Sequence, residues 1–248
     1  MYNKSRKYDV SEHPKTAEGF ADVLYELGKD MLLREKNYEF AITWLDRAFE
    51  IFRTPEPQKL SQDAGELQTS ILQASIKARL EIGSTQRIAE ARGLLQRLEG
   101  DIGGKLVVLL LKLELLSSTG HEPPDADGYD TVLRTMMASL VLNEDNFKLI
   151  IFHVRKLQQW NSTLACAALE KFLTGRVVVE GKLAQLEKII MMRFHMSGEN
   201  DTMEGIVALE RFVTLAEDGK PIQLSPGASL GIHTVSLPLC GLSHADPP

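Results

Sequence analysis

Apolar positions along this chain recur at spacings of three and four, interrupted at short intervals by glycine, proline and polar turns. That is the period of amphipathic helices rather than of strands. The organising stretch is residues 24–51, LYELGKDMLLREKNYEFAITWLDRAFEI. It predicts two helices and a tight turn. Leu24, Leu27, Met31 and Leu32 form the apolar stripe of the first helix, and Gly28 lies within that stripe. A glycine there costs about 1 kcal/mol of helix propensity, and it lets a second helix approach closely. Glu35-Lys36-Asn37 is the turn, and Tyr38, Ala41, Leu45 and Ala48 form the facing seam.

The pattern then repeats. Residues 61–82 predict a helix with Leu67, Ile71, Leu72, Ile76 and Leu80 on its apolar face, ended by Gly83 and followed by Ser84-Thr85 as an N-cap. Its partner carries Ile88, Ala91, Leu95 and Leu98, echoing the three-four-three spacing of the first hairpin. Gly103-Gly104 breaks the chain before residues 106–116, LVVLLLKLELL, a helix apolar almost all round whose neighbours must cover both faces. After a loop at 121–125, one helix carries Tyr129, Val132, Leu133, Met136, Met137 and Leu140. Asn143 or Asp145 caps the next, with Phe147, Ile150, Ile151, Val154 and Leu157. Asn161-Ser162-Thr163 turns into LACAALEKFL, where Ala165, Leu169 and Phe172 occupy the last three seam positions. Thr174-Gly175 precedes a segment over 177–196 whose opening Val177-Val178-Val179 is strand-like but cannot make a sheet alone. A last helix carries Met203, Ile206, Leu209 and Phe212.

The first hairpin resembles a tetratricopeptide (TPR) repeat: Leu27-Gly28, a bulky residue, then Tyr38, Ala41, Leu45 and Ala48. Gly28 to Ala41 is one residue longer than the usual TPR spacing, and Met31 stands where a Tyr is usual. About five hairpins at a period of roughly 36 to 44 residues are expected. The fold class is therefore all-α: TPR-like helical-hairpin repeats stacked as a right-handed superhelix, with an irregular C-terminal tail. The expected boundaries are a loose N-terminus over 1–13, a repeat domain over 14–216, and a disordered or poorly packed tail over 217–248. That tail is rich in Gly, Pro and Ser and has no helical period.

Composition narrows the function. A net charge of -6 argues against broad binding to nucleic acid or anionic membrane, because both require a basic surface. Lys4, Arg6 and Lys7 make only a small basic cluster. Cys166 and Cys240 have no spacing motif for a disulfide framework or a zinc site, which favours a reducing compartment. The N-terminus lacks the apolar run of a secretory signal, and residues 106–116 are too short to span a bilayer. A soluble intracellular protein is expected.

No catalytic constellation emerges. Gly227-Ala228-Ser229-Leu230-Gly231 matches G-x-S-x-G, but it lies in the irregular tail with no sheet to strain it, and His233 is too close for a triad. The stretch 100–106, GDIGGKL, lacks the glycine spacing and the Ser/Thr of a phosphate loop. His13, His121, His153, His195, His233 and His244 are scattered, with no pair at ligand spacing. His153 and His195 read as partly buried structural groups, and Cys166 as an inert seam thiol. Asn161-Ser162-Thr163 is formally a glycosylation sequon but is explained as a helix cap. The pairs Met136-Met137 and Met191-Met192 read as core filler, with one Met of each facing a binding groove as the alternative. No cofactor, metal or small-molecule substrate is expected.

The order of LYELGKDMLL, YEFAITWLDRAFEI, KLVVLLLKLELL, NEDNFKLIIFHVRKL and LACAALEKFL resembles the meiosis-specific TPR-like scaffold family of the ZMM group, across roughly residues 20–215. The resemblance implies a non-catalytic protein-protein interaction scaffold, nuclear and chromosome-associated, that promotes synapsis and crossover recombination. It implies other ZMM or chromosome-axis proteins as partners, without direct nucleic-acid binding. Members are several times longer, so the chain reads as one segment of the usual superhelix, and the change of composition after Glu217 suggests a truncated or mis-spliced form. The competing reading is a generic TPR adaptor outside meiosis. Tyr25 and Lys29 stand where chaperone-binding TPR domains carry their carboxylate clamp, and they do not reproduce it.

Overall fold

Pro14 stands first in helix α1 (Pro14–Asp30), where its missing N–H costs nothing. The computed structural model describes residues 14–53, 62–118, 124–177 and 179–196. The proposed helix around Met203, the tail over 217–248 and the N-terminus over 1–13 lie outside the described residues.

The buried face of α1 is Ala17, Ala21, Leu24 and Gly28, continued by Leu32. Helix α2 (Tyr38–Arg53) meets it with Ala41, Leu45 and Ala48, all without solvent exposure, and with Phe52. A Cβ added to Gly28 would lie 2.7 Å from Leu45 Cγ and 3.3 Å from the Ala41 carbonyl oxygen. The two helices are thus so close here that a side chain on residue 28 would force Leu45 to move. Leu27 departs from the expected stripe and is exposed. Each residue turns a helix by about 100°, so a face centred on Leu24 and Gly28 carries Leu27 off to its flank.

Between the helices, Met31–Glu35 forms a π-helical turn, and Lys36 adopts left-handed backbone angles, φ 53° and ψ 32°. The Asn37 N–H donates to the Met31 carbonyl at 2.9 Å. The Asn37 side chain accepts from the Phe40 N–H at 3.4 Å and caps α2. A π turn holds one residue more per hydrogen-bonded ring than an α turn. It therefore takes up the extra residue between Gly28 and Ala41 while the seam stays in register.

The described helices divide between two units, Met1–Val132 and Leu133–Pro248. In the first, α3 (Gln62–Ile82), α4 (Thr85–Ile102) and α5 (Leu106–Ser117) follow the opening hairpin. Three apolar layers run through its described residues. One joins Ala21, Leu24, Ala48, Phe52, Ala64 and Ile71. A second joins Leu32, Ala41, Ile42, Leu45, Ala74 and Ala78. The third joins Leu72, Ile76 and Leu80 of α3 to Ala91, Leu95 and Leu98 of α4 and to Val108, Leu111 and Leu115 of α5. Helix α3 enters all three, so Ala74, Ser75, Ala78 and Arg79 are buried in addition to its expected face. As its composition requires, no residue of α5 is fully exposed. Gly83, at φ +68°, ends α3, and Ser84 caps α4 by accepting from the Arg87 N–H at 3.3 Å.

Helix α6 (Ala126–Ser139) contains the boundary between the units. In the second unit, α7 (Glu144–Trp160) packs on α8 (Ser162–Phe172), and α9 (Leu183–Met196) packs on α8 and on the π-helical turn Leu173–Val177. Asn143 caps α7 and Asn161 caps α8, each through its side-chain oxygen. The strand-like valines resolve differently from a continuous helical segment over 177–196. Val177 is buried, Val179 is exposed in a turn, Gly181 takes φ +66°, and α9 begins only at Leu183. Among the described residues there are nine α-helices and no strand, so the fold is all-α and built of helical hairpins.

Two substitutions test the opening hairpin by urea unfolding followed by far-UV circular dichroism. Gly28→Ala should destabilise the protein by about 1–3 kcal/mol, as overpacking does; an unchanged midpoint would disprove the close contact. Lys36→Gly should stabilise it by about 1 kcal/mol, by relieving the left-handed backbone cost of a side chain.

Candidate interaction surface

Two features stand apart from the apolar layers: a polar clamp across α2, α3 and α4, and an exposed seam on α1. The clamp centres on Arg79, whose side chain is only 7% exposed. Its Nη2 donates to Asp46 Oδ2 on α2 at 2.7 Å, and its Nε to Glu90 Oε2 on α4 at 3.2 Å. Its Nη1 donates to the Ser75 carbonyl at 3.2 Å and also to the Ser75 hydroxyl, which in turn donates to Asp46 Oδ1 at 3.1 Å. Arg87 extends the network, donating to Glu90 at 2.8 Å and to Glu39 on α2 at 2.6 Å. By donating to Glu90, Arg87 holds that carboxyl below its ordinary range; Gln86 and Arg79 add to the effect and partial burial opposes it. Each carboxylate accepts from a cation held by a neighbouring helix, so the cluster fixes helix positions.

The seam on α1 is Phe20, Val23 and Leu27, exposed by 53%, 56% and 41%. Their spacing of three and four places them along one line. Glu26 and Asp30 follow on the side away from the buried face, paired with Lys29 and Arg34 at 3.0 Å each. Among the described residues, the other exposed large apolar side chains, Leu33, Phe40, Val141, Phe152 and Val179, form no such row along a helix.

The remaining residues singled out from sequence fall as follows. Ala41, Leu45, Ala48, Ala91, Leu95, Leu98, Ala165, Leu169 and Phe172 are buried, Tyr38 and Ile88 are half-buried, and Leu27 is exposed. His153 is buried on α7, where burial first, and then Lys156, lowers its imidazole to a pKa of about 4. Cys166 is buried on α8 with Arg193 Nη1 of α9 at 3.1 Å from its Sγ. Met136 and Met137 both face inward, which removes that pair from the groove alternative; Met192 is buried and Met191 half-buried. The glycine-rich stretch at 100–106 is the end of α4, a Gly103 turn at φ +70° and the start of α5. Among the described residues no group of three or more His, Cys, Asp or Glu is placed to hold a metal ion. The Ser229 motif and His13, His121, His233 and His244 lie outside the described residues, as does the His195 side chain.

Sequence reasoning passed over the clamp and the outer seam. Arg79 and Asp46 are far apart in the chain, and no local spacing announces their pairing. Phe20 and Val23 precede the stretch on which the hairpin was recognised, although their spacing with Leu27 was visible.

A family model described as "Meiosis protein SPO22/ZIP4 like" matches residues 1–235. No curated protein and no solved structure matches the chain.

Removing the clamp's cation should destabilise without unfolding. Arg79→Met is expected to cost about 1–3 kcal/mol, because the partly exposed Asp46 regains water when its partner is lost; no measurable cost would reduce the clamp to decoration. His153 titrates the other way from a salt-bridged histidine. Its folded pKa lies below the ordinary 6.5, so the unfolded chain takes up the proton first. Stability should therefore fall as pH drops from 6.5 toward about 4. His153→Gln should flatten that part of the profile in unfolding experiments across this range.

Proposed function

The chain belongs to the SPO22/ZIP4-like meiosis proteins, and from that premise we propose that it acts as a non-catalytic protein-protein interaction scaffold in meiosis. In this reading it works in the nucleus on chromosomes, gathers other ZMM or chromosome-axis proteins, and promotes synapsis and crossover recombination. The observation that carries the reading is the family match over residues 1–235. The fold supports it physically. Helical hairpins offer long, regular side-chain surfaces, and such surfaces bind peptides and helices of several partners. An exposed row of large apolar side chains on the first helix is what a binding surface requires. The net charge of -6 favours protein partners over direct contact with DNA.

The test is expression timing with localisation, following a tagged protein through mitotic growth and meiosis. Nuclear foci on chromosomes that appear only in meiosis are the expected result. Constant cytoplasmic expression would overturn the reading and leave a generic TPR adaptor outside meiosis.

A further inference from the structure

We propose that the outer face of α7 around Phe152 binds an acidic segment of a partner protein, one that carries a large apolar side chain among its carboxylates. The inference deepens the scaffold reading, on which it rests, by giving one partner a chemistry.

Helical spacing builds the face. Phe147, Ile150, His153, Val154 and Leu157 turn inward. Lys148, Phe152 and Arg155, spaced four and three, therefore fall along one line on the opposite side, and all three are exposed. Phe152 is 61% exposed and has a cation one turn away in either direction. Ile151 and Lys156 stand half-buried beside it, and the Lys156 Nζ lies 5.8 Å from the centre of the Trp160 ring. An aromatic ring next to an arginine is the composition that protein interfaces favour.

Charge selects the occupant. Cations on a solvated helix are stabilised by carboxylates one turn away, as Lys29 is by Glu26 and Arg34 by Asp30 near the first hairpin turn. Helix α7 departs from that arrangement. Its two acids, Glu144 and Asp145, stand in its first turn, where the helix N-terminus favours them. From residue 146 to residue 169 the chain holds Lys148, Arg155 and Lys156 and neither Asp nor Glu. Glu144 accepts from Lys188 of α9 at 2.9 Å, while Lys148 lies 3.8 Å from the same oxygen with its side chain 68% exposed. One carboxylate thus serves two lysines. Arg155 forms no ion pair among the described residues. Positive charge is left around an exposed ring, and carboxylates from outside answer it. An apolar side chain among those carboxylates covers Phe152. A nucleic-acid strand fits this face less well, because phosphates running along α7 would meet Glu144 and Asp145, and so few cations make few phosphate contacts.

The experiment uses the whole chain and three synthetic peptides of about 15 residues, about four helical turns. One carries a central leucine among glutamates, one the same leucine among lysines, and one a serine among glutamates. In fluorescence anisotropy the leucine-glutamate peptide should bind about tenfold more tightly than either of the others. Phe152→Ser should remove the advantage of leucine over serine. Lys148→Glu with Arg155→Glu should reverse the preference for glutamate over lysine. The circular dichroism spectrum should be unchanged in both variants, because these side chains are exposed. Absent binding, no preference for glutamate, or no preference for leucine would overturn the proposal. So would a single-stranded oligothymidine that binds at least as tightly as the peptide and is lost in Lys148→Glu with Arg155→Glu, since the occupant would then be nucleic acid. A dimer of the chain alone, seen in sedimentation and lost in that same variant, would overturn it too, by making the occupant a second copy. If the peptide result fails while the tagged protein still forms meiotic foci, the docking site is wrong and the scaffold role stands. If the foci fail as well, both fall.

Discussion

The architecture of the first unit depends on the closeness of two helices at one point, where Gly28 of α1 faces Leu45 of α2. Any side chain there forces Leu45 to shift, since even a methyl group would sit 2.7 Å from Leu45 Cγ. That closeness lets Ala41, Leu45 and Ala48 be wholly buried and sets the layer that continues into Ala74 and Ala78 of α3. The propensity lost by a mid-helix glycine is the cost of a tight seam, and the small residues around it show the same logic.

Helix α3 carries that constraint outward. It contributes to all three of these apolar layers, and its two buried polar residues, Ser75 and Arg79, must be satisfied inside. Arg79 meets that requirement by reaching α2 through Asp46 and α4 through Glu90. A buried guanidinium is a directional connector where leucine contacts are not. The apolar layers hold the helices together, and the clamp adds a fixed orientation among three of them. In the second unit Arg193 beside Cys166 and Lys188 beside Glu144 link α9 to α8 and α7 by similar means.

What the sequence disclosed follows the range of the interactions. Turns and caps are local, so Gly83-Ser84 and Asn161 could be read directly, and the cap of α7 was narrowed to Asn143 or Asp145, of which Asn143 makes the bond. The seam of α2 was legible because three-four-three spacing and small residues leave few alternatives. Leu27 was misplaced because Leu and Gly at adjacent positions both fitted a stripe, and only the position of Leu45 selects Gly28 for the interface. The clamp was invisible because Asp46 and Arg79 are brought together by packing between helices. The start of the helical segment expected at 177 was misplaced for a related reason: Gly181 at φ +66° ends a turn, and α9 begins only at Leu183.

The π-helical turn at Met31–Glu35 also bears on how this hairpin tolerates changes in gene length. Deleting one codon within that turn removes the residue it takes up and returns the segment to an ordinary α turn. Deleting one among the seam positions of α1 or α2 rotates the helix on one side of the deletion by about 100° against the other and breaks the row that faces the partner helix. In-frame indels among descendants of this gene should therefore collect at the turn and be purged on either side of it.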